Sequence, residues 1–172
     1  MKTLSDWEKR LESMMPPDQI RLGFSGIKPV FDRLAVSVEP KKVIVVAGTN
    51  GKGSFVEAIS VLAMSSDLRV GQFTSPHLHH FSERIRINGS NVSQDLLVSA
   101  LDKVDLARKN IEITYFEFLT LASFVIFSEE NIDLWVLEIG LGGRLDAVNI
   151  LDSSIQVITS IGLDHQSILG ES

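Results

Sequence analysis

The segment Lys41-Lys42-Val43-Ile44-Val45-Val46-Ala47-Gly48-Thr49-Asn50-Gly51-Lys52-Gly53-Ser54 carries three kinds of residue in a fixed order. Lys41 to Ala47, with its core Val43-Ile44-Val45-Val46, is a continuous apolar run. That is the pattern of a strand buried on both faces, and hence of a parallel sheet. Gly48 to Gly53 is a glycine-rich turn, and a helix is expected from about Ser54 to Ser66. A strand, a glycine turn and a helix start in succession make an anion site. Glycines let the backbone approach an anion and turn successive N–H groups toward it, and the helix N-terminus adds a favourable dipole. Lys52 can neutralise β- and γ-phosphates, and the Ser54 hydroxyl can reach Mg²⁺. Asn50, Gly51, Lys52, Gly53 and Ser54 are therefore the candidate nucleotide-binding residues. The spacing is shorter than G-x-x-x-x-G-K-[ST], and Gly53 stands before Ser54. A plain glycine-rich turn is the alternative.

Outward from this segment, strands alternate with helices. Arg69 to Thr74 reads as a second strand, and Asp133 to Ile139 and Gln156 to Ile161 as two further buried ones. Glu83 to Asn88 alternates Ile85 and Ile87 with Arg84 and Arg86 before Asn88-Gly89, a half-exposed strand entering a hairpin turn. Ser5-Asp6-Trp7-Glu8 fits a capping box for a first helix that stops at Pro16-Pro17. A polar loop from Asp18 to Gly26 leads to a short helix over Lys28 to Ala35, with Pro29 in its first turn. Ser93 caps a helix to about Lys109, and Thr114 with Glu117 opens an apolar helix to about Glu129. Such alternation predicts an α/β fold with a doubly wound, mostly parallel sheet and right-handed crossovers. Ligands bind such sheets outside the carboxyl ends of the strands. Four stretches fall there: Gly48–Ser54, Thr74–His80, Glu138–Asn149 and Gly162–His165.

Composition narrows the choice of ligand. The 172 residues hold 16 Lys+Arg against 22 Asp+Glu, a net charge of −6, so nothing favours nucleic acid and an anion needs a local device. With 44% hydrophobic residues the chain can bury a sizeable core. It has no cysteine, which excludes thiolate metal sites and Cys nucleophiles. No apolar stretch is long enough to span a bilayer, and Met1 to Arg10, with Asp6 and Glu8, has no secretory apolar region. A cytoplasmic location, no membrane partner and a monomeric state are the expectations.

Glu138 ends the run Leu134-Trp135-Val136-Leu137. A carboxylate buried there needs a partner, and a hard divalent cation beside phosphates is one; an exposed strand-end acid is the other possibility. His165 follows Asp164 at the end of the last strand, where a hydrogen-bonded structural histidine is the alternative to a ligand. His77, His79 and His80 lie close together, but their spacing does not define a metal site. Arg84 is expected either to support the Ser75 loop or to lie exposed on its hairpin.

Ala47 to Ser54 resembles the nucleotide loop of the Mur ligase superfamily, most closely that of folylpolyglutamate synthase and the bifunctional dihydrofolate synthase/folylpolyglutamate synthase. Five further stretches fit that family in order: Thr74-Ser75-Pro76-His77-Leu78, Glu83-Arg84-Ile85-Arg86, Thr114-Tyr115-Phe116-Glu117, Glu138 to Asn149, and Gly162-Leu163-Asp164-His165. The resemblance implies an ATP-binding domain of the Mur-ligase central type and an ATP-dependent ligase with Mg²⁺. In such an enzyme the carboxyl group of dihydropteroate or a folate becomes an acyl phosphate, which the amine of L-glutamate attacks. By the same carry-over Ser54, Ser75, Glu138 and His165 are metal ligands, and Lys52, Glu138 and His165 serve catalysis. Ile20-Arg21-Leu22-Gly23, Phe116, Glu117 and Leu145-Asp146-Ala147 match positions lining the pterin or folate site. A surface loop and a simple helix cap are the alternatives for the first segment and for Glu117. Family members also carry a metal-supporting lysine and a C-terminal domain beyond the point matched by Ser172. The resemblance therefore implies that residues 1–172 are an N-terminal ATP-binding domain, truncated and inactive alone. A nucleotide-binding module without ligase chemistry is the rival; it has no need of the Ile20–Gly23 or Leu145-Asp146 segments.

Overall fold

A computed structural model describes residues 2–14, 20–38 and 42–170. Its helices are α1 (Leu4–Met14), α2 (Ile27–Leu34), α3 (Lys52–Met64), α4 (Gln94–Arg108), α5 (Tyr115–Glu129) and α6 (Gln166–Leu169). Its strands are β1 (Lys42–Ala47), β2 (Val70–Phe73), β3 (Ile85–Ile87), β4 (Ser90–Asn91), β5 (Leu134–Glu138) and β6 (Ile155–Ile158). They form one sheet in the order β4-β3-β2-β5-β1-β6. β1 pairs in parallel with β5 and β6, and β2 in parallel with β5. β3 and β4 add an antiparallel hairpin, turned by Asn88 and Gly89, both at positive φ. The expected mostly parallel α/β sheet is what the chain builds.

Alternation along each strand divides the interior in two. Val43, Val45, Phe73, Trp135 and Leu137 face a large core with α1, α2, α4 and α5. Val46, Val70, Leu134 and Val136 face a smaller one under Val56 of α3. Helices therefore lie on both faces, as a doubly wound sheet requires. Trp7 packs on Phe118 at 5.5 Å between ring centroids, and Phe124 stacks on Trp135 at 5.9 Å. Each such buried side chain contributes roughly 1.5–3 kcal/mol.

The capping boxes show how local chemistry sets the ends. Thr114 and Glu117 exchange both bonds: the Thr114 amide donates to Glu117 Oε2 at 2.6 Å, and the Glu117 amide to Thr114 Oγ1 at 3.1 Å. The box of α1 lies two residues before the expected one. The Thr3 amide donates to Asp6 Oδ2, and the Asp6 amide to Thr3 Oγ1. Asp can close this box as Glu does. The expected stop of α1 at Pro16-Pro17 lies outside the described residues.

Two strand expectations need correction. Phe81–Arg84 is a 3₁₀ turn rather than the start of β3, because the Glu83 carboxylate accepts the amides of Leu78, His79 and His80 and curls the chain around itself. β6 is not buried: Ile155 and Ile158 are 54% and 65% exposed, since β6 pairs only on its β1 side. Among the described residues, no helix is long and apolar enough to cross a membrane.

Candidate active site

The carboxyl ends of β1, β2, β5 and β6 lie along one edge, because these strands are parallel. Everything the sequence singled out follows one of those ends or a neighbouring loop. After β1 the chain turns through Gly48 (φ +135°) and Gly51 (φ +85°), and Gly51 caps α3. This left-handed cap starts the helix at Lys52, two residues before the expected Ser54, so Lys52, Gly53 and Ser54 form its first turn. The Lys52 ammonium folds back over the loop and donates to the carbonyls of Gly48 (2.8 Å) and Thr49 (3.3 Å).

A cleft of about 270 Å³ opens beside this loop. Its walls include Gly48, Thr49 and Lys52, the glycines 140, 142 and 143, and Asp164 with His165. Asn50, Gly51, Gly53 and Ser54 continue the same turn but do not line its wall. The loop is anchored from β6. The Thr49 amide donates to Ser160 O at 2.7 Å, and Thr159 Oγ1 donates to Asn50 O at 2.8 Å.

A second cleft, about 300 Å³, lies on the other side of Gly140, Leu141 and His165, which line both. Ile20, Arg21, Leu22, Phe116, Asp146 and Ala147 all line it, with Ser75, from four separate stretches of chain. The remaining proposed substrate residues lie elsewhere. Gly23 and Leu145 tie two of those stretches together, the Gly23 amide donating to Leu145 O at 2.7 Å. Glu117 is buried at the start of α5 in the capping role, with Oε1 unpaired. The Phe116 ring rests on Gly140, where a Cβ would come within 2.6 Å of it.

Glu138 sits between the loops. It is 4% exposed, its Oε2 accepts the Ser75 amide at 3.0 Å, and a Cβ on Gly53 would stand 3.8 Å from that oxygen. Burial pushes its carboxyl above the ordinary range, opposed by the Ser75 amide and by the charges of Lys52 and Arg84. Asp146 is pushed up to about 6, again by burial. Both Asp146 oxygens hold the loop, accepting the amides of Leu141 and Val148 at 2.9 Å. His165 is exposed, at positive φ, with Asp164 Oδ2 3.8 Å from its Nε2.

Among the described residues no three His, Cys, Asp or Glu side chains gather for a metal. The proposed ligands are linked two by two: the buried Glu138 carboxylate is bonded to the Ser75 amide, and Ser75 and the exposed His165 line the same second cleft. A mixed set of carboxylate, hydroxyl and imidazole fits a divalent ion beside phosphate. Of the neighbouring histidines, His77 has its Nδ1 accepting Arg84 Nε at 2.9 Å, and burial lowers its pKa.

Sequence reasoning missed several wall residues. Arg84 is only 8% exposed, with its guanidinium 5.5 Å from the Tyr115 ring centroid, and both line the second cleft. Of the two expectations for Arg84, support of the Ser75 loop is the one the structure shows, its Nε donating to His77 Nδ1 at 2.9 Å. Thr49 lies within the loop motif but was given no role, and its bonds to the chain after β6 appear only once β6 lies beside β1.

A glycine-rich loop at the carboxyl edge of a mostly parallel sheet, with a buried acid on the adjoining strand, places the chain among α/β domains of doubly wound type. Comparison with known proteins specifies it further. No family model matches the chain. The "Dihydrofolate synthase/folylpolyglutamate synthase" of Buchnera aphidicola subsp. Acyrthosiphon pisum is 42% identical over 98% of this chain and 40% of its own length. The structure of Escherichia coli FolC in complex with DHPP and ADP superposes with a TM-score of 0.94 at 38% identity, over 99% of this chain and 41% of that one. A bifunctional folylpolyglutamate synthase/dihydrofolate synthase with Mn, AMPPNP and L-glutamate bound gives 0.90 at 39% identity, over 100% and 41%. The chain is homologous to the dihydrofolate synthase/folylpolyglutamate synthases, the family its motifs resemble. It spans about two fifths of the length of the relatives it matches.

Proposed function

We propose that this chain supplies the nucleotide-, metal- and pterin-binding part of an ATP-dependent ligase that joins L-glutamate to dihydropteroate, to a folate, or to both. One observation carries the reading: two clefts of different chemistry share a wall at Gly140, Leu141 and His165. A phosphate donor in the first cleft and a carboxylate acceptor in the second would meet across that wall. Transfer of the γ-phosphoryl group to the carboxylate gives an acyl phosphate and ADP. The glutamate amine then displaces phosphate and forms the amide.

Phosphoryl transfer depends on positioning and charge neutralisation more than on covalent help. The amides at the α3 N-terminus and the Lys52 ammonium would orient the phosphates. Ser54, Ser75, Glu138 and His165 would hold Mg²⁺, which would supply further neutralisation of phosphate charge. The raised carboxyl of Glu138 suits this role, since a cation would restore the ionised form that burial disfavours. Ile20, Arg21, Leu22, Phe116 and Ala147 would hold the pterin end. In support, solved relatives carry ADP with DHPP, and AMPPNP with Mn and L-glutamate.

Residues 1–172 would be the incomplete N-terminal domain of that enzyme, without ligation of their own. The test incubates the 172-residue chain, and a polypeptide extended to the length of its relatives, with ATP, Mg²⁺, L-glutamate and dihydropteroate or tetrahydrofolate. Amide product by mass from the extended polypeptide alone is expected. Absence of product from both would overturn the ligase reading, and comparable product from the short chain would overturn its incompleteness.

A further inference from the structure

We infer that Thr49 is a positioning residue that sets His165 relative to the phosphate loop, through a two-point hydrogen-bond clamp on Gly162. The inference rests on the proposed site, in which a divalent cation and a nucleotide meet at that loop. Thr49 Oγ1 donates to Gly162 O at 3.0 Å and accepts the Gly162 amide at 2.9 Å. One hydroxyl thus takes both polar groups of a single residue. Two bonds to one peptide fix its orientation as well as its distance. The Thr49 backbone adds a third tie, its amide donating to Ser160 O at 2.7 Å.

The other ties to the loop lie at the start of the segment, where Ser160 bridges Asn50 and its Oγ donates to Asn50 O at 3.3 Å, and among the described residues none is to Asp164 or His165. Residues 160–170 are exposed throughout, with Ile161 at 80% and Leu163 at 71%. Within it, Asp164 Oδ1 accepts the His165 amide at 2.8 Å, and the backbone bonds of α6 are local. Farther along, Leu169 leans on Gly142, where a Cβ would meet its side chain at 2.9 Å. From Gly162 the chain runs two residues to Asp164 and three to His165, and Thr49, Asp164 and His165 line the same cleft. Thr49 also sits one residue from Gly48 and three from Lys52. The side chain therefore joins the element that would hold phosphate to the element that carries the imidazole.

A hydroxyl that served only the fold would show itself in stability. Here the Gly162 groups are near solvent, so water can replace the lost bonds at small cost. The effect of removing the hydroxyl should fall on the placement of His165 instead. Thr49→Val keeps the shape and removes the hydroxyl; Thr49→Ser keeps the hydroxyl.

The test uses paramagnetic broadening in NMR spectra of the 172-residue chain with ADP and substoichiometric Mn²⁺. In the wild type, the amides of Gly51 to Ser54 and the His165 imidazole should both broaden. In Thr49→Val the loop amides should still broaden, while His165 broadening falls at least fivefold. Thr49→Ser should restore it, and thermal midpoints of all three should agree within about 2 °C. His165 broadening unchanged in Thr49→Val would overturn the clamp, as would a Thr49→Ser protein that behaves like Thr49→Val. A wild type whose loop amides do not broaden would overturn the nucleotide-site reading and the clamp's role with it, and is told apart by the loop signals.

Discussion

The two clefts share Gly140, Leu141 and His165 but are built from different material. The first is rich in glycine, at 48, 140, 142, 143 and 162, with Lys52 and Thr49 tied to carbonyls of their own or the neighbouring loop. The second is mostly side chain: Ile20, Arg21, Leu22, Pro76, Arg84, Tyr115 and Phe116. The difference follows from what each would hold. Phosphate is small, charged and the same in every nucleotide, so a ring of N–H groups suits it and side chains would be in the way. A pterin is flat, with apolar faces and a hydrogen-bonding edge, so it needs walls with shape and placed polar groups. The first cleft should therefore fail when atoms are added, and the second when they are exchanged.

Gly48→Ala is the harshest way to test the first half. Its φ of +135° strains any side chain, and a Cβ would stand 2.0 Å from Thr159 Oγ1 and 3.1 Å from Ser160 O. Strain and overpacking together should cost about 4 kcal/mol. Urea denaturation checks this, and a loss under about 1 kcal/mol would mean that the β1 and β6 loops yield easily.

Asp146 tests the shared wall by pH. Its carboxyl titrates near 6 in the fold against an ordinary 3.8, because burial outweighs the amides of Leu141 and Val148. The folded protein thus holds this proton to higher pH than the unfolded chain does. The stabilisation is complete below the unfolded value and is lost as pH rises through about 6. Between pH 4.5 and 7 the wild type should lose about 2 kcal/mol that Asp146→Asn does not lose. Parallel pH profiles for the two proteins would show that Asp146 is charged in the fold at both pH values.

Lys52→Ala removes a cation from the first cleft without adding an atom. The ammonium bonds only loop carbonyls, so the fold should keep its midpoint within about 2 °C. Affinity for Mg-ATP should fall roughly thirtyfold, about 2 kcal/mol, as for one charge-assisted hydrogen bond. Calorimetric titration decides it; affinity within twofold of wild type would remove Lys52 from the site.

How far each cleft was legible in the sequence follows the same division. The first lies within one short segment, Val43 to Ser54, where apolar period, glycines and lysine are neighbours in the chain. Local chemistry suffices there, although the left-handed cap at Gly51 moved the helix start. The second is assembled from residues near 20, 75, 84, 115 and 146, and no local pattern joins them. Only the resemblance pointed to Ile20–Gly23 and Leu145–Ala147 together. For Glu117 it offered a wall position beside a helix cap, and the carboxylate makes the capping bond. The sequence left Arg84 between two places, and the choice was settled by a turn it did not show: the Glu83 carboxylate, held down at about 2 by the amides of Leu78, His80 and His79, curls the chain and breaks strand alternation. β6 was read as buried because its composition is apolar, but composition reports what a strand could cover, not whether a neighbour covers it.

Arg21→Lys is the mildest test, and it separates wall from ligand contact in the second cleft. Arg21 Nη1 donates to Glu112 O at 2.8 Å, bracing the loop after Ile20 against the turn before α5. The bond is exposed, so its loss should cost under about 1 kcal/mol of stability. Lys keeps the charge but not the planar fork, and cannot both brace Glu112 and present a second N–H to the cleft. If Arg21 contacts the pterin, affinity for dihydropteroate should fall about three- to tenfold while Mg-ATP affinity stays within twofold. A fall in both affinities would show that the loop shifts as a body, and that the shared wall at Gly140 and Leu141 carries the change from one cleft to the other. An unchanged dihydropteroate affinity would leave Arg21 as a brace alone and assign recognition to the neighbouring Ile20, Leu22 and Phe116.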